Sequence, residues 1–220
     1  MTKHFYIIVD TETTKKQTVA DFGAIVIDKQ GKIHEQFGAM IHGHFGVMPL
    51  FSDPMANPDD FWSEQSSKRR TKKYDDMLES GQRSIASPAL INLWLAGVNA
   101  RYNPVLTAYN LSFDFGKCAN TGINLGIFAE KFCLMKLAKW TIGITYEYET
   151  FCKSRGLMTP TGRARMTADA MAKFIDDTNY EGSLADEPHT ALEDARDYEA
   201  MILTYILRTH TRNDILNLGA

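Results

Sequence analysis

The feature that most constrains this chain lies near its start, where the apolar run Phe5-Tyr6-Ile7-Ile8-Val9 breaks directly into Asp10-Thr11-Glu12-Thr13. A short unbroken run of aromatic and β-branched residues reads as a strand buried on both faces. Period two then puts Asp10 and Glu12 on the same face at the strand's carboxyl end. Two carboxylates sharing one site repel and raise each other's pKa, so the pairing is costly unless a cation sits between them. A divalent metal ion is the natural partner. Asp-x-Glu alone is equally a solvated strand end before a Thr-rich turn, so the motif needs company.

The rest of the chain supplies a scaffold for such a strand. Residues 20–28 and 33–41, joined by the turn Lys29-Gln30-Gly31-Lys32, read as a hairpin. Residues 42–87 differ in composition, with Pro49, Pro54 and Pro58 and the charged run Lys68-Arg69-Arg70-Thr71-Lys72-Lys73, and read as loop and short helix. From Pro88 onward Leu90, Ile91, Trp94, Leu95 and Val98 recur at helical spacing, and residues 105–109 look like a second inner strand. Residues 113–123, 168–175 and 190–208 read as helices. Strands first, then strands alternating with helices, predict a mixed α/β sheet covered by helices.

Composition narrows the class. With 220 residues, 44% of them hydrophobic, the chain has material for one sizeable core, and residues 1–220 are expected to form a single domain. No apolar stretch approaches the ~20 residues of a membrane span, and no signal-peptide pattern is present, so a cytoplasmic protein is expected. Cys118, Cys133 and Cys152 are odd in number and lack a Cys-x-x-Cys pair, which argues against a disulfide framework and a thiolate zinc site. They are expected to be buried small hydrophobes. A net charge of −3 gives no global attraction for nucleic acid, so a polyanion site must rest on local charge or on metal ions.

Two further acidic elements stand out. In Ala108-Tyr109-Asn110-Leu111-Ser112-Phe113-Asp114 an inner strand ends and a helix begins, where Asp114 alone would be an ordinary first-turn acid. In the helix after His189-Thr190, Ala191, Ala195, Tyr198, Ile202 and Tyr205 form an apolar stripe, and Asp194 falls within it. Burying an unpaired carboxylate is costly, so Asp194 requires a cation or strong donors. Glu193 and Asp197 read as solvated-face charges, and His189 as a loop residue at the mouth of the helix.

Taken together and in this order, Asp10-x-Glu12, Asn110-x-x-x-Asp114 and His189-x-Ala191-x-x-Asp194 resemble the DEDDh branch of the DnaQ-like 3′–5′ exonucleases. Residues 19–26, Val-Ala-Asp-Phe-Gly-Ala-Ile-Val, look like that family's second strand, and the resemblance spans residues 5–205. It implies a ribonuclease H-like mixed sheet flanked by helices. It further implies that Asp10, Glu12, Asp114 and Asp194 hold two magnesium or manganese ions, with His189 as general base and nucleoside 5′-monophosphates as products. An all-carboxylate donor set suits those hard cations better than zinc. The chain departs from the family pattern at Lys15 and Lys16, where a glycine usually follows the first motif, and at Tyr109, where a histidine usually precedes the asparagine. Neither position is a metal ligand; both bear on the pocket for the terminal nucleotide.

The expected substrate is a single-stranded 3′ end, because the scissile end must leave its complement to enter a narrow site. DNA is favoured over RNA, with an RNA-trimming exonuclease as the alternative. A non-catalytic nucleic-acid-binding or polymerase-associated module is the rival from another class, and the full set of four acids and a histidine speaks against it. Lys68, Arg69, Arg70, Lys72 and Lys73, near Phe61 and Trp62, are candidate phosphate and base contacts, balanced against an exposed helix neutralised by Asp75, Asp76 and Glu79. Arg163 and Arg165 in the turn at 159–167 are a second candidate pair, and Thr11, Thr13, Asn110 and Phe113 flank the acids. His42-Gly43-His44 offers two ligands without a third and reads as a loop pair.

Overall fold

The computed structural model describes residues 4–53, 55–60, 62–179 and 182–220; Pro54 and Phe61 lie outside them. Its centre is β1 (Phe5–Thr13), which carries on through Asp10 and Glu12 instead of stopping at Val9. β1 pairs antiparallel with β2 (Val19–Asp28), with Asp10 opposite Gly23 and Glu12 opposite Asp21. It pairs in parallel with β5 (Val105–Ala108), Ile8 lying opposite Thr107. β3 (Ile33–Ile41), β4 (Ser84–Ala86) and β6 (Lys131–Cys133) complete a mixed sheet of six strands in the order β4-β3-β2-β1-β5-β6.

Helices cover both faces, which is why β1 shows no polar alternation before Asp10. On one face Tyr6, Ile8, Ile25 and Ile27 pack against α4 (Leu134–Ala138), α6 (Ala168–Asn179), α7 (Ala191–Glu193) and α8 (Ala200–Leu207). On the other, Ile7, Val9, Phe22 and Val26 meet Ile91, Leu95 and Val98 of α2 (Pro88–Tyr102), and Leu111 and Cys118 of α3 (Leu111–Thr121). α2 starts where the Ser87 hydroxyl accepts the Leu90 N–H and Pro88 fills the first turn. α5 (Tyr146–Ser154) and α9 (Arg212–Leu218) flank the first face. No described helix is long and apolar enough to cross a membrane.

Several expectations are corrected. The segment 42–87 holds β4 and a helix of 16 residues, α1 (Glu64–Glu79), capped by the Ser63 side chain on the Ser66 N–H. Its inner face is Ser66, Ser67, Tyr74 and Met77, so the apolar periodicity that betrays a buried helix is nearly absent. Leu90 is half exposed, outside the α2 core stripe. Glu193 is not a solvated charge but pairs with buried Arg83. Cys118 and Cys152 are buried as expected, whereas Cys133 is only partly so. The long C-terminal helix expected at 190–208 is present as a continuous helical run from Ala191 to Leu207, but between α7 and α8 residues Asp194–Glu199 form a π-turn in which the Ala200 N–H reaches back to the Ala195 carbonyl.

Candidate active site

Parallel strands leave a crevice beyond their carboxyl ends, and the carboxyl ends of β1 and β5 are where the acids gather. Asp10 and Glu12 project from β1 toward the helix-covered face that receives α7. Gly23, opposite Asp10, makes that approach possible: a Cβ there would lie 2.2 Å from the Ala191 carbonyl carbon and the Leu192 nitrogen. Asp21 fastens the same junction, accepting the Ala191 N–H at 3.0 Å while the Nε of Arg83 donates to its other oxygen at 3.3 Å. Arg83 also pairs with Glu193. The docked helix thereby delivers Asp194, 3% exposed, beside Glu12. Asp114 arrives from the opposite layer: α3 begins one residue after Asn110, whose φ of 73° turns the chain sharply, and Thr11 donates its hydroxyl to Asp114 Oδ1 at 2.8 Å.

The ligand atoms of Glu12, His189 and Asp194 lie within 4.8 Å of one another and could hold a metal ion. Asp10 and Asp114 belong to the same cluster electrostatically. Burial first, then the charges of Glu199, Asp114, Glu12 and Asp194, push the Asp10 carboxyl well above its usual range. Burial, reinforced by Asp21, lifts Glu12 to about 8 against the opposing Arg70 guanidinium. Burial lifts Asp114 to about 7 despite the Thr11 hydroxyl, and burial with Glu187 and Glu12 lifts Asp194 to about 9. Asp194 Oδ1 and Glu199 Oε2 are buried without a hydrogen-bond partner among the described residues. Clustered, protonation-prone oxygens with orphaned lone pairs fit a hard divalent cation.

His189 sits in the loop before α7 with a φ of 53°, a conformation sparsely populated by non-glycine residues and often found at functional sites. α1 holds it there: the Tyr74 hydroxyl donates to the His189 carbonyl at 3.2 Å and Lys73 Nζ to the Pro188 carbonyl at 3.0 Å. The sequence showed the basic run but not this use of it. Lys68, Arg69, Lys72 and Lys73 are exposed, while Arg70 is half-buried, donates to the Phe51 carbonyl at 2.8 Å and faces Glu12 and His189 with its charge. Burial, then Arg70, hold the His189 pKa below its usual value. Tyr109, one residue past β5, gives its hydroxyl to the Met166 carbonyl at 2.6 Å. Phe113 is exposed on α3 beside Asp114, with Lys117 Nζ 4.5 Å from its ring centre. Thr13 is buried next to the site. Arg163 and Arg165 lie in the turn before α6, where the Arg163 N–H donates to the Thr159 hydroxyl at 3.1 Å, Arg165 Nε donates to the Met158 carbonyl at 3.3 Å and the Arg165 carbonyl accepts the Tyr148 hydroxyl of α5.

Two residues of the cluster have no counterpart in the sequence reading. Glu187 is lifted to about 7 by burial and then by Asp169, and Glu199 is 2% exposed. Glu199 stands five residues after Asp194, a spacing that places two side chains on different faces of a regular helix.

No family model and no curated protein matches the sequence. Solved structures do. The architecture is the ribonuclease H-like fold, a mixed sheet flanked by helices. It is similar to that of E. coli exonuclease I in complex with a 5cy-dT13 oligonucleotide, with a TM-score of 0.53 and 14% identity over 98% of this chain and 42% of that one. Exonuclease I bound to the inhibitor BCBP gives a TM-score of 0.51 and 12% identity, covering 98% of this chain and 43% of that one. The chain thus spans less than half the length of the proteins it matches.

The raised carboxyl pKa values set a pH dependence. Between the unfolded value near ~4 and the folded values of about 7 to 9, the folded protein keeps protons that the unfolded chain has released. Stability from these groups is present at low pH and is lost as pH rises through the folded values. In EDTA the melting temperature is expected to fall from about pH 5.5 to about pH 9, and magnesium or manganese is expected to restore it at the alkaline end only. A metal-free melting temperature that holds level across this range would show that burial and like charge do not hold these carboxyls above their usual range.

Proposed function

We propose that the chain is a 3′–5′ exonuclease of the DEDDh type, dependent on magnesium or manganese, that removes nucleoside 5′-monophosphates from single-stranded DNA. The observation that carries this reading is the gathering of Glu12, His189 and Asp194 ligand atoms within 4.8 Å of one another, with the buried carboxyls of Asp10 and Asp114 raised by the same cluster of charge and burial. The fold shared with exonuclease I supports it, and the oligonucleotide held by one of those structures favours a single DNA strand.

Each residue then has a task. Asp10, Glu12, Asp114 and Asp194 would hold the ions, and Thr11 fixes the Asp114 carboxylate by its hydroxyl. Divalent ions bound there supply the positive charge that acidifies the attacking water and steadies the leaving oxygen at phosphorus. His189, kept neutral by burial and by Arg70, accepts the water's proton. Arg70 presents a fixed positive charge beside Glu12 and His189, where the non-bridging oxygens of the scissile phosphate would lie. The exposed ring of Phe113 offers a face on which a base can stack. Lys68, Arg69 and Lys72, exposed on α1, lie along an approach for the backbone farther from the end.

Digestion of 5′-labelled single-stranded DNA, duplex DNA and RNA of one sequence, with magnesium and with EDTA, tests the proposal. The expected result is a ladder shortening from the 3′ end, fastest on single-stranded DNA and absent in EDTA. Faster loss of RNA would reassign the substrate to the oligoribonucleotide-trimming alternative, and cleavage undiminished by EDTA would remove the metal from the mechanism.

A further inference from the structure

We propose that Glu199 is a fifth carboxylate of the ion-holding centre, its buried Oε2 offered to a divalent cation held by the acids of that centre. The inference rests on the metal-dependent reading above and extends its ligand set beyond the four acids that the sequence motifs mark.

Three independent features of Glu199 point the same way. First, it is 2% exposed and half committed: Oε1 accepts the Tyr109 N–H at 3.3 Å, at the residue where β5 stops pairing, while Oε2 has no partner among the described residues. A buried carboxylate oxygen left without a donor is strongly unfavourable, so a purely structural role accounts for one oxygen and leaves the other unexplained. Second, the backbone is bent to place it. In a regular α-helix, residues five apart stand roughly 140° apart around the axis, which would turn Glu199 away from the side that carries Asp194. The π-turn over Asp194–Glu199, closed by the Ala200 N–H on the Ala195 carbonyl, brings the fifth residue round to the same side. Such turns are rare and concentrate at functional sites.

Third, its neighbours are the acids themselves. Among charged groups Glu199 acts most strongly on Asp10, ahead of Asp114, Glu12 and Asp194, and is itself acted on most strongly by Asp114. No basic side chain is among the leading influences on Glu199. A cation bound at this centre would satisfy the orphaned Oε2 and offset the repulsion in one step.

The test uses manganese as probe and metal binding as readout. Manganese affinity is measured by calorimetry, and by electron paramagnetic resonance of the free ion, for the wild-type chain, Glu199→Gln and Asp10→Asn. Glu199→Gln keeps an amide oxygen for the Tyr109 N–H and removes only the charge, so its metal-free fold should be at least as heat-stable as wild type. Its manganese affinity is expected to fall at least about 10-fold, with a smaller rise in melting temperature on adding the ion. Should the glutamine variant fail to fold, Glu199→Leu, of similar volume and without polar atoms, takes its place. Affinity within twofold of wild type in a folded variant overturns the role of Glu199. Unchanged affinity in Asp10→Asn as well would overturn the metal-centre reading instead.

Discussion

Asp10→Asn and Asp194→Asn are each expected to lower cleavage by on the order of 10⁴-fold or more, while leaving a folded protein that is more heat-stable without metal than the wild type. The two effects have one cause. Each substitution removes a charged ligand from a group whose members act as a unit, so losing one forfeits most of what the set achieves. The same substitution removes a carboxylate that, without an ion, is buried against like charges. Asparagine preserves size and hydrogen-bonding capacity, so the repulsion goes without leaving a cavity. For a chain of this size, a stability gain of about 1 kcal/mol corresponds to a rise of roughly 2–4 °C. The double variant should be scarcely slower than either single one, because additivity fails inside a shared centre. Initial rates on single-stranded DNA with magnesium, together with melting curves in EDTA, read both effects. A rate within tenfold of wild type in either variant would remove that acid from the centre.

The division between what the sequence disclosed and what it concealed follows physical lines. β1 was legible because a strand covered on both faces must be apolar throughout, and the abrupt arrival of Asp10 and Glu12 marks the edge of that cover. Asp194 was legible because period 3.6 placed a carboxylate on an apolar stripe, and burial at 3% exposure bears this out. α1 was not legible as a long helix, because it buries serines, Tyr74 and Met77 beneath a charged exterior and so carries little apolar periodicity. With the helix went the use of its basic residues: the run looks uniform in sequence, yet Arg70 turns its charge toward Glu12 and His189, while Lys73 braces the Pro188 carbonyl and adds a weaker charge beside His189.

Glu199 shows a different limit. Its position is set by a π-turn, and no residue type in Asp-Ala-Arg-Asp-Tyr-Glu announces that the helix takes one extra residue per turn there. Read with the regular period, Glu199 belongs to another face. Glu193 was misjudged for a related reason: its partner Arg83 is 110 positions earlier in the chain, and a long-range ion pair leaves no local pattern. Gly23 could have hinted at the docking of α7, since glycine in a strand interior often marks a close backbone approach.

His189 connects these observations to the chemistry. It lies among potential ligand atoms, so it is either a ligand or a base, and the two roles give opposite results on substitution. As a base, His189→Ala should lose roughly 10²- to 10⁴-fold in single-turnover rate while binding manganese as tightly as wild type, since no carboxylate has gone. The pH profile adds a second readout. Burial and the neighbouring Arg70 charge both disfavour the imidazolium, holding the pKa below the usual value near 6.5, and bound divalent ions would lower it further. The neutral ring is the active form, so the wild-type rate should rise with pH and level off at a lower pH than an ordinary imidazole would give. Arg70→Gln removes one of the charges that press the pKa down. The rising limb of that variant is therefore expected to move to higher pH, beyond any general loss of rate from weaker phosphate contact. In His189→Ala the limb should vanish. A tenfold loss of manganese affinity in His189→Ala would make the histidine a ligand, and a limb that stays in place in both variants would assign the proton to another group.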